Sequence, residues 1–368
     1  MASTASTNLT APLPPRAGGA LYRLAVIVLL LIVGLSVFDR FLANLESTEL
    51  ARGAQRDYEN GLRLLKGGTP AAAIEPLQSA HSTERENQTY ELALIRALAD
   101  SGRTADAGPL MDEVLARLPN DGSANLEAAR LAIKTGDEDA AQAYYHRAIF
   151  GRWSGADALA RQTAARLELI DHLAAKGQLQ PLLAELISLN AESPTDPAVQ
   201  AKIARLFLTA GSPDRSATAW QTYLSSRQDR SDNESAEKAW AGLGEAELQA
   251  GEYQKARTAF REAQWLNPND VAVKSRFELV DMVAALDPTP HQLSAAAKHA
   301  RAVRILDMAN ADLTRCSPSA SPVDPAKLDA EELLAAAQQT WQLRVKTCAG
   351  ISNDEDALRL IMRKLAAQ

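Results

Sequence analysis

The sequence predicts an all-α protein: a stack of about six helical hairpins, preceded by a single transmembrane helix and followed by a small helical C-terminal region. Three observations carry this. Gly68, Gly102, Gly136, Gly177, Gly211 and Gly251 follow one another at intervals of 34, 34, 41, 34 and 40 residues. A recurrent step of that length marks structural units that cannot bury their apolar faces alone and must stack. Residues 24–38 form an uncharged apolar run of 15 residues. Ala and Leu recur at helical spacing, while aromatic content is 5% and β-branched runs are scarce outside the apolar run.

At the N-terminus, residues 1–20 are dominated by Ser, Thr, Ala and Pro, too apolar-poor to fold, and a disordered tail is expected. The apolar run that follows is shorter than the ~20 residues that cross a bilayer core comfortably. Leu21, Tyr22, Phe41, Leu42 and Ala43 extend it to 21–43, and Arg23 and Arg40 can snorkel to the headgroups. A cleavable signal peptide is the rival reading. Its small-x-small site, Gly34-Leu35-Ser36, lies inside the apolar run and Phe41 spoils a cut after Ala43, so the run is read as a retained transmembrane anchor. Arginines flank both ends, Arg16 and Arg23 before it and Arg40, Arg52 and Arg56 after it, so the positive-inside bias is nearly neutral. A short tail before a large C-terminal domain favours an extracytoplasmic array. With the bacterial source that the alanine-rich style suggests, the expectation is a single-pass inner-membrane protein with a periplasmic array.

The hairpins have a common frame. With each glycine at position 15 of a 34-residue unit, position 24 is Leu77, Met111, Tyr145, Leu186, Trp220 and Phe260, always large and apolar or aromatic. Position 20 is Ala73, Ala107, Ala141, Ser216 and Ala256, with Leu182 the exception, and position 32 is proline at Pro119, Pro194 and Pro268. The frame reads as helix A, a glycine turn, and a helix B whose small residue allows a close crossing and whose large one fills the groove. Proline then ends helix B. Units are expected at 54–87, 88–121, 122–155, 163–196, 197–230 and 237–270. Of the two inserts, 156–162 is a good helix former and should extend the next helix A. The polar stretch 231–236 should be an exposed loop.

In the last unit Trp240, Leu243, Gly244, Gly251, Tyr253, Ala256, Phe260, Ala263 and Pro268 spell W-x2-L-G…G-x-Y-x2-A-x3-F-x2-A-x4-P. This resembles the tetratricopeptide repeat (TPR) over residues 54–270, and the chain resembles a membrane-anchored bacterial TPR protein. Glu247 departs from the pattern where the family prefers a bulky residue, and Ile95, Ile170 and Leu182 are larger than the family's usual choice. The resemblance implies a right-handed superhelix whose concave face, lined by helix A, binds protein partners. Position 9 reads Leu62, Arg96, Arg130, Asp171, Arg205 and Glu245, and position 13 adds Lys66 and Lys134 while position 6 adds Lys202. Arg96, Arg130, Lys134, Lys202 and Arg205 are therefore the candidate partner-binding residues, a ladder for an acidic or carboxylate-bearing ligand or cations that merely solvate a groove. The family's chaperone-tail clamp wants asparagine at position 9, which no unit has.

Beyond the array, residues 271–286 should form a capping helix, with further helices near 291–315, 326–348 and 353–366 in the region 287–368. Cys316 and Cys348 are the only cysteines. They are either free thiols or one disulfide. An antiparallel pair of helices would hold them about 28 Å apart, whereas a proline-bearing linker at 317–328 that runs back along the helix would permit a bridge.

No catalytic constellation, metal-ligand spacing or cofactor motif is present, and the five histidines are scattered over different units. A net charge of −7 with no basic stripe argues against nucleic acid. Enzyme, cofactor and metal are therefore not expected. Two function classes remain: a membrane-tethered TPR scaffold for protein–protein interaction in cell-envelope assembly or export, and an accessory subunit bound through its anchor to an integral membrane enzyme or export complex.

Overall fold

The computed structural model describes residues 18–227, 232–348, 350 and 355–367; the expected tail at 1–20 lies almost wholly outside them. Six hairpins follow one another: α1 (Gly18–Lys66) with α2 (Pro70–Thr83), α3 (Gln88–Asp100) with α4 (Thr104–Arg117), and α5 (Gly122–Thr135) with α6 (Glu138–Phe150). Next come α7 (Ala158–Ala175) with α8 (Leu179–Ala191), α9 (Pro197–Thr209) with α10 (Pro213–Ser226), and α11 (Asn233–Gln249) with α12 (Tyr253–Leu266). Four more α-helices follow among the described residues: α13 (Val271–Leu286), α14 (Ala295–Cys316), α15 (Ala330–Thr347) and α16 (Asp356–Ala366). The chain forms two compact bodies, Met1–Ala165 and Arg166–Gln368.

The glycines work as the spacing requires. All six adopt left-handed backbone, with φ from 66° at Gly177 to 84° at Gly102. Each closes its helix in the same way. Gly136 N–H donates to the Ile133 carbonyl and Asp137 N–H reaches back to that of Ala132, a Schellman ending that satisfies two orphan carbonyls. A Cβ at Gly136 would meet nothing, so the constraint is backbone conformation rather than space.

Position 24 is buried in every repeat, and so is position 20. Position 8 is glycine in the first and last repeats, and the reason there is explicit. A Cβ on Gly61 would stand 2.4 Å from Leu77, and one on Gly244 would stand 2.8 Å from Phe260, so the large helix-B residue lies directly on the helix-A backbone. A second device ties the two helices of a hairpin. Position 4 of helix A pairs with position 30 of helix B: Glu91 with Arg117 at 2.5 Å, Arg166 with Glu192, and Gln200 with Ser226 at 3.3 Å. The charges are swapped between the first two pairs, which shows a demand for complementarity rather than for one residue type. Asn87, Asp121, Asp196 and Asp270, all at position 34, cap the next helix A by accepting a hydrogen bond from its first turn.

The inserts behave differently from one another. Residues from Ala158 onward lengthen α7 to 18 residues, as their composition suggests. The polar insert, expected as an exposed loop, is helical from Asn233, because Asp232 caps α11 by accepting from Ser235 N–H. A good cap placed just before four helix-compatible residues outweighs their polarity.

The C-terminal helices share one core with the last repeat. Leu248, Tyr253 and Phe260 of the repeat pack with Val280 and Val283 of α13, Ile305 and Leu306 of α14, Leu333 of α15 and Leu358 and Ile361 of α16. Tyr253 Oη donates to the Leu360 carbonyl at 2.7 Å, and burial pushes its phenol up to about 12. A buried ion pair, Arg344 with Glu355 at 2.6 Å, and a partly buried one, Lys364 with Asp287 at 2.9 Å, fasten α16.

Cys316 and Cys348 form a disulfide with Cα atoms 5.9 Å apart. Both lie at the C-terminal ends of their helices, so α14 and α15 pack in the same direction, joined by a strap that returns along α14. Asn310, in the middle of α14, holds that strap by donating to the Val323 carbonyl and accepting from its N–H.

The expected anchor, residues 21–43, falls on α1, partly outside the described side chains. Among the described residues no helix is long and apolar enough to cross a membrane.

Candidate interaction groove

The helix-A side of the N-terminal body carries a groove of about 480 Å³. Three successive helices A build it, because each contacts the next: α1 touches α3, and α3 touches α5. Position 5 of the three repeats, Tyr58, Leu92 and Leu126, lines an apolar floor that Leu62 and Leu65 extend along α1. Position 2 adds hydroxyls from Thr89 and Ser123. The Tyr58 ring stacks at 4.8 Å on Tyr90, whose hydroxyl donates to Gln55, and burial together with the Tyr90 charge holds the Tyr58 phenol above its usual range.

One wall comes from the loop after α6. Arg152 pairs with Asp121 in a short parallel bridge, its N–H donating to the Asn120 carbonyl and its carbonyl accepting from Gly122 N–H, both at 2.8 Å. That bridge swings Trp153 over Gly122, where a Cβ would stand 2.3 Å from the indole, so Gly122 is small to admit it. The indole N–H donates to the Ala148 carbonyl at 2.8 Å, and the Arg161 guanidinium lies 5.3 Å from the ring centroid. The result is an apolar trough with amide, hydroxyl and charged groups on its rim. Such a surface can hold apolar side chains of a partner segment and satisfy its backbone.

Of the candidate cations, Arg96 lines this groove. Asp100 faces two of them, Arg96 at 3.7 Å and Lys134 at 3.3 Å, while Arg130 pairs with Glu127 at 2.5 Å. Lys202 and Arg205 stand on α9 in the other body; Lys202 meets Asp171 at 2.6 Å and Arg205 is exposed. The helix-A surface is thus a mesh of acidic and basic side chains that link neighbouring repeats. Reading for charge passed over the apolar position 5, although Tyr58, Leu92 and Leu126 recur there at 34-residue steps. Trp153 carried no such signal, since the bridge that places it belongs to the fold. Among the described residues no group of three or more His, Cys, Asp or Glu side chains could hold a metal.

The tetratricopeptide repeat family matches residues 98–150 and 202–271, one segment in each body. The chain carries tetratricopeptide repeats. No curated protein matches it in sequence. Among solved structures it is similar to PilW, a widely conserved type IV pilus biogenesis factor, at 16% identity and TM-score 0.39, covering 60% of this chain and 97% of that one. A tetratricopeptide repeat protein from Parabacteroides merdae gives 15% identity and TM-score 0.26, over 62% of this chain and 99% of its own. The TPR2AB-domain:pHSP90 complex of yeast Sti1 gives 16% identity and TM-score 0.30, over 79% of this chain and 98% of its own. These TPR likenesses concern the helical repeat and nothing that those proteins bind.

Proposed function

We propose that this TPR chain is a membrane-tethered scaffold whose first three repeats hold a segment of a partner protein, in assembly of the cell envelope or in export. One observation carries the reading. The apolar run and the α1 part of the groove floor lie on the same unbroken helix, which in this reading joins the tether directly to the binding surface. Along it the side chains of Leu24, Val26 to Val33 and Leu35 are exposed on every side, at 37–65%. Water does not favour such a surface, whereas a hydrocarbon layer does, at roughly 25 cal/mol per Å² of apolar area removed from water. In this reading the short run with its flanks, 21–43, is met by local thinning of the bilayer.

The disulfide supports placing the array outside the cytoplasm, since such bridges persist in oxidising compartments. The second reading, an accessory subunit held to a membrane enzyme through the anchor, assigns the binding to residues 21–43 instead. Crosslinking in native membranes, comparing the parent with a Leu92→Asp, Leu126→Asp variant and with a chain lacking 1–43, separates the two. The scaffold reading expects the groove variant to lose its partner while staying in the membrane pellet after a carbonate wash. It expects the truncated chain to be washed out yet still to capture the partner. Capture by the groove variant together with loss by the truncated chain would establish the anchor-led reading instead.

A further inference from the structure

We propose a second docking surface, on the C-terminal body: the cleft between α15 and α16 takes an acidic segment of a partner protein that presents an apolar anchor residue. The cleft has a volume of about 610 Å³. Its floor is apolar, formed by Trp341 and Met362, and its α15 wall carries Gln338 and Gln342, four residues apart and hence on one face. The opposite edge carries Arg359 and Arg363, again four residues apart on α16 and both exposed.

The distribution of charge sets these arginines aside. Four other buried or half-buried ionic groups nearby are matched among themselves, Arg344 with Glu355 and Lys364 with Asp287. Arg359 meets Asp356 at 2.8 Å with its side chain half exposed. Arg363 reaches, among the described residues, the neutral carbonyl of Gln249 at 3.5 Å. Among the described residues the edge therefore has more positive than negative charge, on a chain whose net charge is −7. Guanidinium groups one helical turn apart match carboxylates spaced along an extended segment, and each can take a carboxylate in two parallel hydrogen bonds. The glutamine amides across the cleft both donate and accept, which suits the backbone of such a segment.

Concavity favours a peptide over a lipid surface. Trp341 is 9% exposed at the bottom of the cleft, out of reach of a flat anionic layer but open to a single side chain. The site is separate from the groove of the first three repeats, so the two can fail independently.

The test uses the full chain in detergent with two labelled, end-blocked peptides, one of alternating glutamate and leucine, the other of alternating glutamine and leucine. Fluorescence anisotropy should show the glutamate peptide binding about tenfold tighter, an advantage that shrinks as salt is raised. R359Q with R363Q should remove that advantage while the thermal unfolding curve stays that of the parent, and L92D with L126D should leave it intact. Equal affinity for the two peptides, no measurable binding of either, or an advantage that survives loss of both arginines would overturn the proposal. So would tighter binding of a short-chain phosphatidylglycerol at the same arginines, which would make the cleft a lipid site.

Discussion

Gly136 shows how much a single residue decides in this chain. Its φ of 80° is open to glycine and disfavoured for every L side chain, while the space around it is empty. Gly136→Ala is therefore expected to cost roughly 1–2 kcal/mol, read as a shift in the urea midpoint, with the helical signal of the folded state unchanged. Glu247 makes the opposite case, a residue that departs from its family's preference. Its carboxyl is buried, with Gln221 donating to it at 3.3 Å. Burial raises its pKa, with Lys255 opposing and Glu252 and Asp214 adding to the rise. A carboxyl raised in the folded state favours the protonated chain, so its contribution is present below the unfolded glutamate value and is lost as pH rises through the folded one. Glu247→Gln should consequently be more stable than the parent at pH 7, with the difference closing as pH falls to about 4. Urea midpoints at the two pH values measure it. The turn glycines were legible in the sequence because a backbone constraint leaves one residue type. The groove's apolar position 5 was equally periodic, yet it is hidden among the many leucines and alanines that serve the core.

Among the elements, the strap between α14 and α15 shows what a helix forecast omits. Residues 317–328 could be read as a linker, and its prolines as extended chain, but two paths were open and they separate the cysteines or join them. Asn310 selects the second by holding Val323 against the middle of α14. The disulfide then closes a loop of 32 residues in sequence separation, which on chain entropy is worth ~3–4 kcal/mol. Cys316→Ser with Cys348→Ser should lower the stability of the C-terminal body by that amount. Hydrogen exchange should locate the loss in α14 to α16 and leave α1 to α6 protected. The helix α11 shows the complementary point. Its extra turn comes from one capping aspartate, a local signal that the polarity of the insert obscured.

At the level of the whole molecule, each body depends on contacts between elements distant in sequence. The last repeat buries Leu248, Tyr253 and Phe260 against α13, α14, α15 and α16, so a chain ending at Leu286 exposes that face. Such a truncation is expected to abolish cooperative unfolding of the C-terminal body while the N-terminal transition persists, a loss visible in calorimetry. What the amino-acid pattern settles unaided is the repeat: its period, its glycine turns, the helix pairs and the apolar run that precedes them. These are legible because they are local, each enforced by backbone geometry or by a spacing that recurs along the chain. Tertiary packing alone settles the rest. It places Trp153 over Gly122 to wall a groove, turns α14 and α15 the same way so that two cysteines meet, and folds α16 back onto the turn at Gly251. Each of those outcomes joins residues with no common period, and the free energy that selects among them comes from surfaces that exist once the helices have packed.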